Sequence, residues 1–144
     1  MRARKLISTL SVLGLTTLGV VVASPNAYAG SYGCAGNLSW SGKVTDTSGH
    51  EAGWVYDYWD GTDNCSVFVK SEYAGVKTFT QISLAAKNGG QGTDGYDSGN
   101  FTTYAGPARV KGVGTCVQEL VGENDPSNHQ IVNWLSGWHS GPGC

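Results

Sequence analysis

The sequence predicts an all-β protein, an antiparallel β-sandwich or barrel held by two disulfides. Three observations lead to this fold class. Apolar and polar residues alternate with a period of two in several segments. Glycine-containing turns separate those segments. Four cysteines occur in a chain of only 144 residues.

The first 29 residues have the features of a secretory signal peptide. Arg2, Arg4 and Lys5 precede an apolar run over 6–23, and the small-x-small motif AYA follows at 27–29. The alternative is a membrane anchor. A cleavage motif that follows the run closely favours secretion, and no later segment is apolar enough to cross a bilayer. We therefore expect cleavage after Ala29 and a single secreted domain over 30–144.

The charge of the secreted part argues against nucleic acid as a partner. Residues 30–144 carry six Lys and Arg against eleven Asp and Glu. Nucleic-acid-binding proteins usually present a basic patch to the phosphates, and this composition does not supply one. We expect an extracellular protein that, after signal cleavage, has no membrane segment.

The four cysteines are expected to form two disulfides, because an even number in a short exported chain is typical of a disulfide framework. They are Cys34, Cys65, Cys116 and Cys144. Three pairings are open. Pairing sequence neighbours would close two loops of about 30 residues, each contributing about 3–4 kcal/mol. With no C-x-x-C pair and no close histidine partner, the spacing predicts no metal site, and we expect no cofactor.

Alternation locates the clearest strands. Leu38, Trp40 and Val44 fall on one face of a segment over 38–45, and residues 76–86 alternate in the same way. A shorter β-branched strand is expected over 65–70. The glycine-rich stretch over 89–100 is predicted to be a surface loop.

The C-terminal stretch over 127–138 fits two structures. Ile131, Trp134, Leu135 and Trp138 have the spacing of one helical face, and Ser127 could cap such a helix. Several glycines follow closely and leave little room for a helix. A short helix and a strand therefore both remain open.

The segment GWVYDYWDG at 53–61 raises the question of a binding platform. A strand here has two faces, one formed by Trp54, Tyr56 and Tyr58 and the other by Val55, Asp57 and Trp59. Burying Asp57 without a cation would cost several kcal/mol. We therefore predict that the Trp54 face packs in the core and that Trp59, beside the turn, is the exposed aromatic.

No catalytic constellation is recognisable. His50 has no nucleophile or orienting acid at a recognisable spacing, and solvent exposure is the default expectation for His129 and His139. Glycosidase chemistry needs two carboxyls at a set separation, which the sequence does not define. We predict that the protein is not an enzyme and has no catalytic residues.

One part of the sequence resembles a known family. The segment DSGNFTTYAGP at 97–107, followed by GTCV at 114–117, is similar to the spore-associated protein A family of small secreted actinomycete proteins. Positions around Cys34, Tyr56 and Cys65 also look like family positions. Trp54, Trp59 and the tail over 125–138 have no match. The resemblance implies a secreted, spore- or hypha-associated protein and brings no catalytic residues.

These observations lead to one expected function and two alternatives. We expect a non-enzymatic secreted protein associated with the spore or hyphal surface. The first alternative is a module that binds a cell-wall or spore-surface glycan, with stacking aromatics and hydroxyl-binding acids supplied by Trp59, Asp60, Asp63, Trp134 and Trp138. The second is a secreted protease inhibitor that presents the loop over 89–100.

Overall fold

The computed structural model describes residues 30–89, 95–141 and 144, which form two antiparallel four-stranded sheets packed face to face. The strands are β1 Asn37–Thr45, β2 Glu51–Trp59, β3 Asp63–Lys70, β4 Thr78–Ala86, β5 Tyr96–Phe101, β6 Tyr104–Lys111, β7 Val117–Asn124 and β8 Gln130–Leu135. Sheet A has the order β1-β2-β3-β6 and sheet B the order β5-β4-β7-β8. The predicted all-β fold is confirmed as a sandwich. The predicted signal peptide lies outside the described residues.

The core lies between the two sheets and is built from alternate residues of their strands. Val55 and Phe68 of sheet A meet Ile82 and Val121 of sheet B, and all four are fully buried. Burying a side chain of this size contributes about 1.5–3 kcal/mol. The same alternation in β7 turns two glutamates, Glu119 and Glu123, into this interior.

The orientation predicted for the segment over 53–61 is wrong. Val55 and Asp57 face the interior and are 0% exposed, whereas Trp54 and Tyr56 lie on the outer face of sheet A. Tyr58 is also on the outer face, where the N-terminal segment covers it. Neighbouring polar side chains hydrogen-bond Asp57 on both carboxylate oxygens. Burying Asp57 therefore costs less than the several kcal/mol expected for a carboxylate without partners.

A β-bulge changes the predicted face of β1. Leu38 pairs with Tyr58 while Trp40 pairs with Asp57, so Ser39 is an extra residue opposite β2. The bulge turns Leu38 to solvent, where it is 54% exposed, while Trp40 still packs on the core. Bulges commonly redirect a side chain. This one brings the Ser39 hydroxyl to 2.6 Å from Asp57 Oδ2.

The C-terminal stretch is a strand and not the helix that its spacing allowed. The Asp125 carboxylate accepts the backbone N–H groups of Ser127 (2.8 Å) and His129 (2.9 Å). Asn128 adopts a left-handed φ of 66°. These features close a tight turn, so β8 folds back onto β7 with Trp134 opposite Val121.

The predicted loop over 89–100 is partly wrong. Residues 96–101 form β5, which pairs with β4 from Thr78 to Ser83. Residues 90–94 lie outside the described residues. A protruding inhibitory loop is therefore not supported over residues 96–100, since these residues belong to a sheet.

The two disulfides join sequence neighbours, which selects one of the three open pairings. Cys34–Cys65 attaches the N-terminal segment to β3 on the outer face of sheet A. Cys116–Cys144 attaches the C-terminal residue to the chain just before β7. Both chain ends of the described domain are therefore tied to the sandwich. No helix within the described residues is long and apolar enough to span a membrane.

Candidate binding surface and buried carboxylate cluster

Three of the site residues predicted from sequence lie together at the turn between β2 and β3. The Asp60 carboxylate accepts the backbone N–H groups of Thr62 and Asp63, both at 2.8 Å. These hydrogen bonds hold the pKa of Asp60 below its ordinary value. Trp59 ends β2 and is partly buried. Asp60 therefore has a structural role in the turn, and sugar binding by this group stays a prediction.

The other two predicted residues lie elsewhere. Trp134 of β8 packs on the core and stacks on Trp40, with ring centroids 6.5 Å apart. Trp138 follows β8 and is 39% exposed. Among the described residues, no hydrogen bond or ring pair joins either tryptophan to Trp59. A binding site formed by the five predicted residues therefore stays a prediction.

The outer face of sheet A presents a different aromatic surface, which we call the aromatic face: Tyr32, Trp54, Tyr56 and Tyr104. Trp54 and Tyr104 share one row across the sheet, separated by Val69. Tyr56 lies in the next row of β2. Tyr32 packs on Tyr104, with ring centroids 5.0 Å apart. All four rings are partly or well exposed.

Polar groups border the aromatic face. Lys43 of β1 continues the row of Trp54, and the Trp54 indole Nε1 donates to Glu51 Oε1 at 3.2 Å. A shallow cavity of about 250 Å³ opens beside Tyr104 at the turn between β5 and β6. This is smaller than the roughly 300–1,000 Å³ of typical small-molecule pockets.

A second candidate site lies between the sheets, and we call it the carboxylate cluster: Asp57, Glu119 and His139. Asp57 Oδ2 accepts hydrogen bonds from Ser39 (2.6 Å) and from the Asn64 amide (2.7 Å). Ser66 Oγ lies 3.1 Å from Asp57 Oδ1 and 2.8 Å from Glu119 Oε1. One serine hydroxyl therefore bridges carboxylates that belong to opposite sheets.

The C-terminal segment completes the carboxylate cluster. Glu119 Oε2 lies 2.6 Å from His139 Nε2 and accepts the Ser136 hydroxyl at 2.9 Å. His139 Nδ1 lies 2.7 Å from Ser140 Oγ, and the imidazole stacks on Trp40 with centroids 3.8 Å apart. His139 is 9% exposed, so the default expectation of an exposed histidine is wrong here. His129 is exposed as expected.

Burial sets the electrostatics of the carboxylate cluster. Desolvation raises the pKa of Asp57, and the neighbouring Glu119 charge raises it further. Hydrogen bonds from Ser39 and Asn64 act in the opposite direction. Sequence reasoning missed Glu119 and Ser66 as site residues. The signal that could have revealed Glu119 is its place in VQELVGE, where the alternation of β7 puts it on the face of Val117 and Val121.

Comparison with known proteins shows a distant similarity. The chain is 28% identical to Spore-associated protein A of Streptomyces coelicolor, and the similarity covers 95% of this chain and 86% of that protein. No protein-family profile matches the chain, and no solved structure is significantly similar to it. The similarity is distant but extends over nearly the full length of both proteins.

Proposed function

We propose that the protein is an extracellular component of the spore or hyphal surface and that it acts by attachment and not by catalysis. The observation that carries the proposal is the near full-length similarity to a protein named for its association with spores. The two disulfides agree with an oxidising, extracellular location. The resemblance of residues 97–107 and 114–117 to the same family points the same way.

Fractionation of an actinomycete culture tests this proposal. An epitope-tagged chain that includes residues 1–29 would be expressed, and the medium, washed hyphae and washed spores would be probed separately. We expect most of the protein in the spore or hyphal fraction. Recovery of nearly all of it as free protein in the medium would contradict surface association.

The aromatic face favours a glycan as the surface component that the protein holds. Aromatic rings present apolar faces that pack against the C–H groups of a sugar ring, while nearby polar groups bind hydroxyls. Trp54, Tyr56 and Tyr104 supply such rings on the outer face of one sheet. Lys43 and Glu51 supply the polar groups at its border. The sequence also predicted a glycan-binding module as an alternative function, but with a different set of residues.

Binding to insoluble cell-wall glycan and chitin, with a matched pair of variants, tests this second candidate. Trp54→Ala removes a ring of the aromatic face, whereas Trp138→Ala removes an exposed ring outside it. We expect Trp54→Ala to weaken binding about tenfold, equivalent to about 1.4 kcal/mol, and Trp138→Ala to leave it unchanged.

Two outcomes would contradict the aromatic face as the binding surface. One is wild-type binding by Trp54→Ala together with loss of binding by Trp59→Ala or Trp138→Ala, which would favour the residues predicted from sequence. The other is no binding by the wild-type protein to any glycan in the panel. Circular dichroism of each variant would establish that it is folded.

A further inference from the structure

The carboxylate cluster brings together three side chains of types that bind metal ions. They come from three parts of the chain. Asp57 comes from β2 of sheet A, Glu119 from β7 of sheet B, and His139 from the segment after β8. One ligand atom from each lies within 4.8 Å of the others, and all three residues are buried. A single ion placed among them would contact both sheets and the C-terminal segment.

The charges of the carboxylate cluster are not balanced by protein groups. Two buried carboxylates face one imidazole, and no Lys or Arg of the described residues lies within 4.0 Å of either carboxylate. Ser66 has one hydroxyl proton, so it can donate to Asp57 or to Glu119 but not to both. An additional positive charge is therefore needed to stabilise two ionised carboxylates in this interior.

The surroundings of the carboxylate cluster resemble the outer shell of a metal site. Ligating carboxylates in metal sites are themselves hydrogen-bonded, and a ligating histidine is held by a hydrogen bond to its other ring nitrogen. Here Ser39, Asn64 and Ser136 bond the carboxylates. Ser140 bonds His139 Nδ1, which leaves Nε2 directed at Glu119.

We propose that Asp57, Glu119 and His139 bind one divalent transition-metal ion of the Zn²⁺ type. A neutral imidazole and two carboxylates neutralise a dication. One nitrogen and two carboxylate ligands are a donor set that Zn²⁺ accepts, with a fourth position for water or a hydroxyl. Ca²⁺ and Mg²⁺ fit less well because they prefer oxygen ligands throughout. The ion would stabilise the extracellular fold by linking the two sheets to the C-terminal segment.

Metal binding by the purified secreted protein tests the proposal directly. The protein would be stripped with EDTA, dialysed against Zn²⁺ or Co²⁺, and analysed for bound metal. We expect one ion per chain. Because Trp40 stacks on His139, bound Co²⁺ should quench tryptophan fluorescence in a saturable titration that Zn²⁺ reverses.

Variants separate this site from adventitious binding at surface histidines. We expect His139→Asn and Asp57→Asn to lower affinity by at least about 100-fold. Ser140→Ala changes only the outer shell, and we expect a smaller loss, about 10-fold. His129→Asn, at an exposed position, should bind like the wild type. Asp57→Asn and Ser140→Ala alter few atoms and keep the test usable if His139→Asn fails to fold.

Two results would overturn the proposal. The first is the absence of stoichiometric Zn²⁺ or Co²⁺ in the folded wild-type protein after dialysis, which would mean that a proton supplies the missing charge. The second is binding that survives Asp57→Asn but is lost in His129→Asn or His50→Asn.

Discussion

The two glutamates that β7 turns into the core have very different surroundings. Glu123 lies 3.2 Å from Lys70 Nζ, and both side chains are 0% exposed. Lys70 Nζ also donates to Thr78 Oγ1 and to the carbonyl oxygens of Val76 and Phe101. Glu119, four residues earlier, faces a second carboxylate and a histidine. Two glutamates on the same face of β7 therefore have different partners. Glu123 lies beside a lysine, whereas Glu119 lies beside a second acid.

Lys70 and Glu123 form an ion pair whose charges balance each other. Within the part of the chain that the structure describes, the carboxylate cluster has no neighbouring Lys or Arg that balances its negative charge. Burial raises the pKa of Glu123, but the Lys70 hydrogen bond and charge oppose that rise. Burial also raises the pKa of Asp57; hydrogen bonds from Ser39 and Asn64 oppose that rise, but the nearby carboxylate of Glu119 adds to it. The Lys70–Glu123 pair carries its own counter-charge. The carboxylate cluster must obtain one from a proton or from a metal ion.

Removing the Lys70 cation from the Lys70–Glu123 ion pair should have the largest effect on stability. Lys70→Met leaves Glu123 buried without its partner, which costs about 3–5 kcal/mol when one member of a buried pair is removed. Urea unfolding at neutral pH measures the loss. The control is Lys70→Met/Glu123→Leu, which replaces both charges by apolar groups and should recover most of the stability. Wild-type stability in the single variant would contradict the pairing.

Removing the disulfide that holds the C-terminal segment should have the second-largest effect on stability. Cys116→Ser/Cys144→Ser opens a 28-residue separation and should cost about 2–4 kcal/mol. His139 pairs through its backbone with Val117, directly after Cys116. We therefore expect this variant to weaken Zn²⁺ binding by the carboxylate cluster as well.

Cys34→Ser/Cys65→Ser is the matched control for that prediction. Its disulfide has a similar sequence separation of 31 but anchors the N-terminal segment on the outer face of sheet A. We expect a similar loss of stability by thermal unfolding and no change in metal affinity. Equal weakening of metal binding in both double variants would contradict a specific role for the C-terminal disulfide.

Asp57→Asn should have a small effect in the metal-free protein. The new amide can donate to Ser66, Ser66 can then donate to Glu119, and the remaining oxygen still accepts from Ser39 and Asn64. One of two like charges is also removed. We expect a change within about 1 kcal/mol by urea unfolding in EDTA. A loss as large as that of Lys70→Met would show that the Asp57 charge is already balanced within the protein.

The sequence predicted an all-β sandwich or barrel and the buried face of β4, but it predicted the wrong buried face for β2. Alternation and turn residues depend on neighbouring positions, and they were sufficient for the fold class. The face of β2 depends on partners distant in sequence, because Asp57 is tolerated in the core through Ser39, Asn64 and Ser66. None of these partners is adjacent to Asp57 in the sequence, so the cost of burying a carboxylate alone predicted the wrong face.

Asp125, the partly exposed acid that closes the β7–β8 turn, should show the smallest and most pH-dependent effect on stability. The Asp125 carboxylate accepts hydrogen bonds from the backbone N–H and the side chain of His129, and from the Ser127 N–H. These hydrogen bonds hold the pKa of Asp125 below its ordinary value of 3.8. A carboxyl group whose pKa is lower in the folded state stabilises the fold above its unfolded pKa. That contribution is lost as the pH falls through the folded pKa.

Asp125→Asn keeps an oxygen acceptor but removes the charge. We expect a slightly lower melting temperature than the wild type at pH 7, and a difference that disappears as the pH falls below the ordinary range of aspartate. Asp60→Asn, which alters the equivalent hydrogen bonds of the β2–β3 turn, should follow the same pH profile. A difference that grows on acidification would contradict this account. Because both acids lie in surface turns, their pH profiles also provide the reference for any pH dependence assigned to the Lys70–Glu123 pair and the carboxylate cluster.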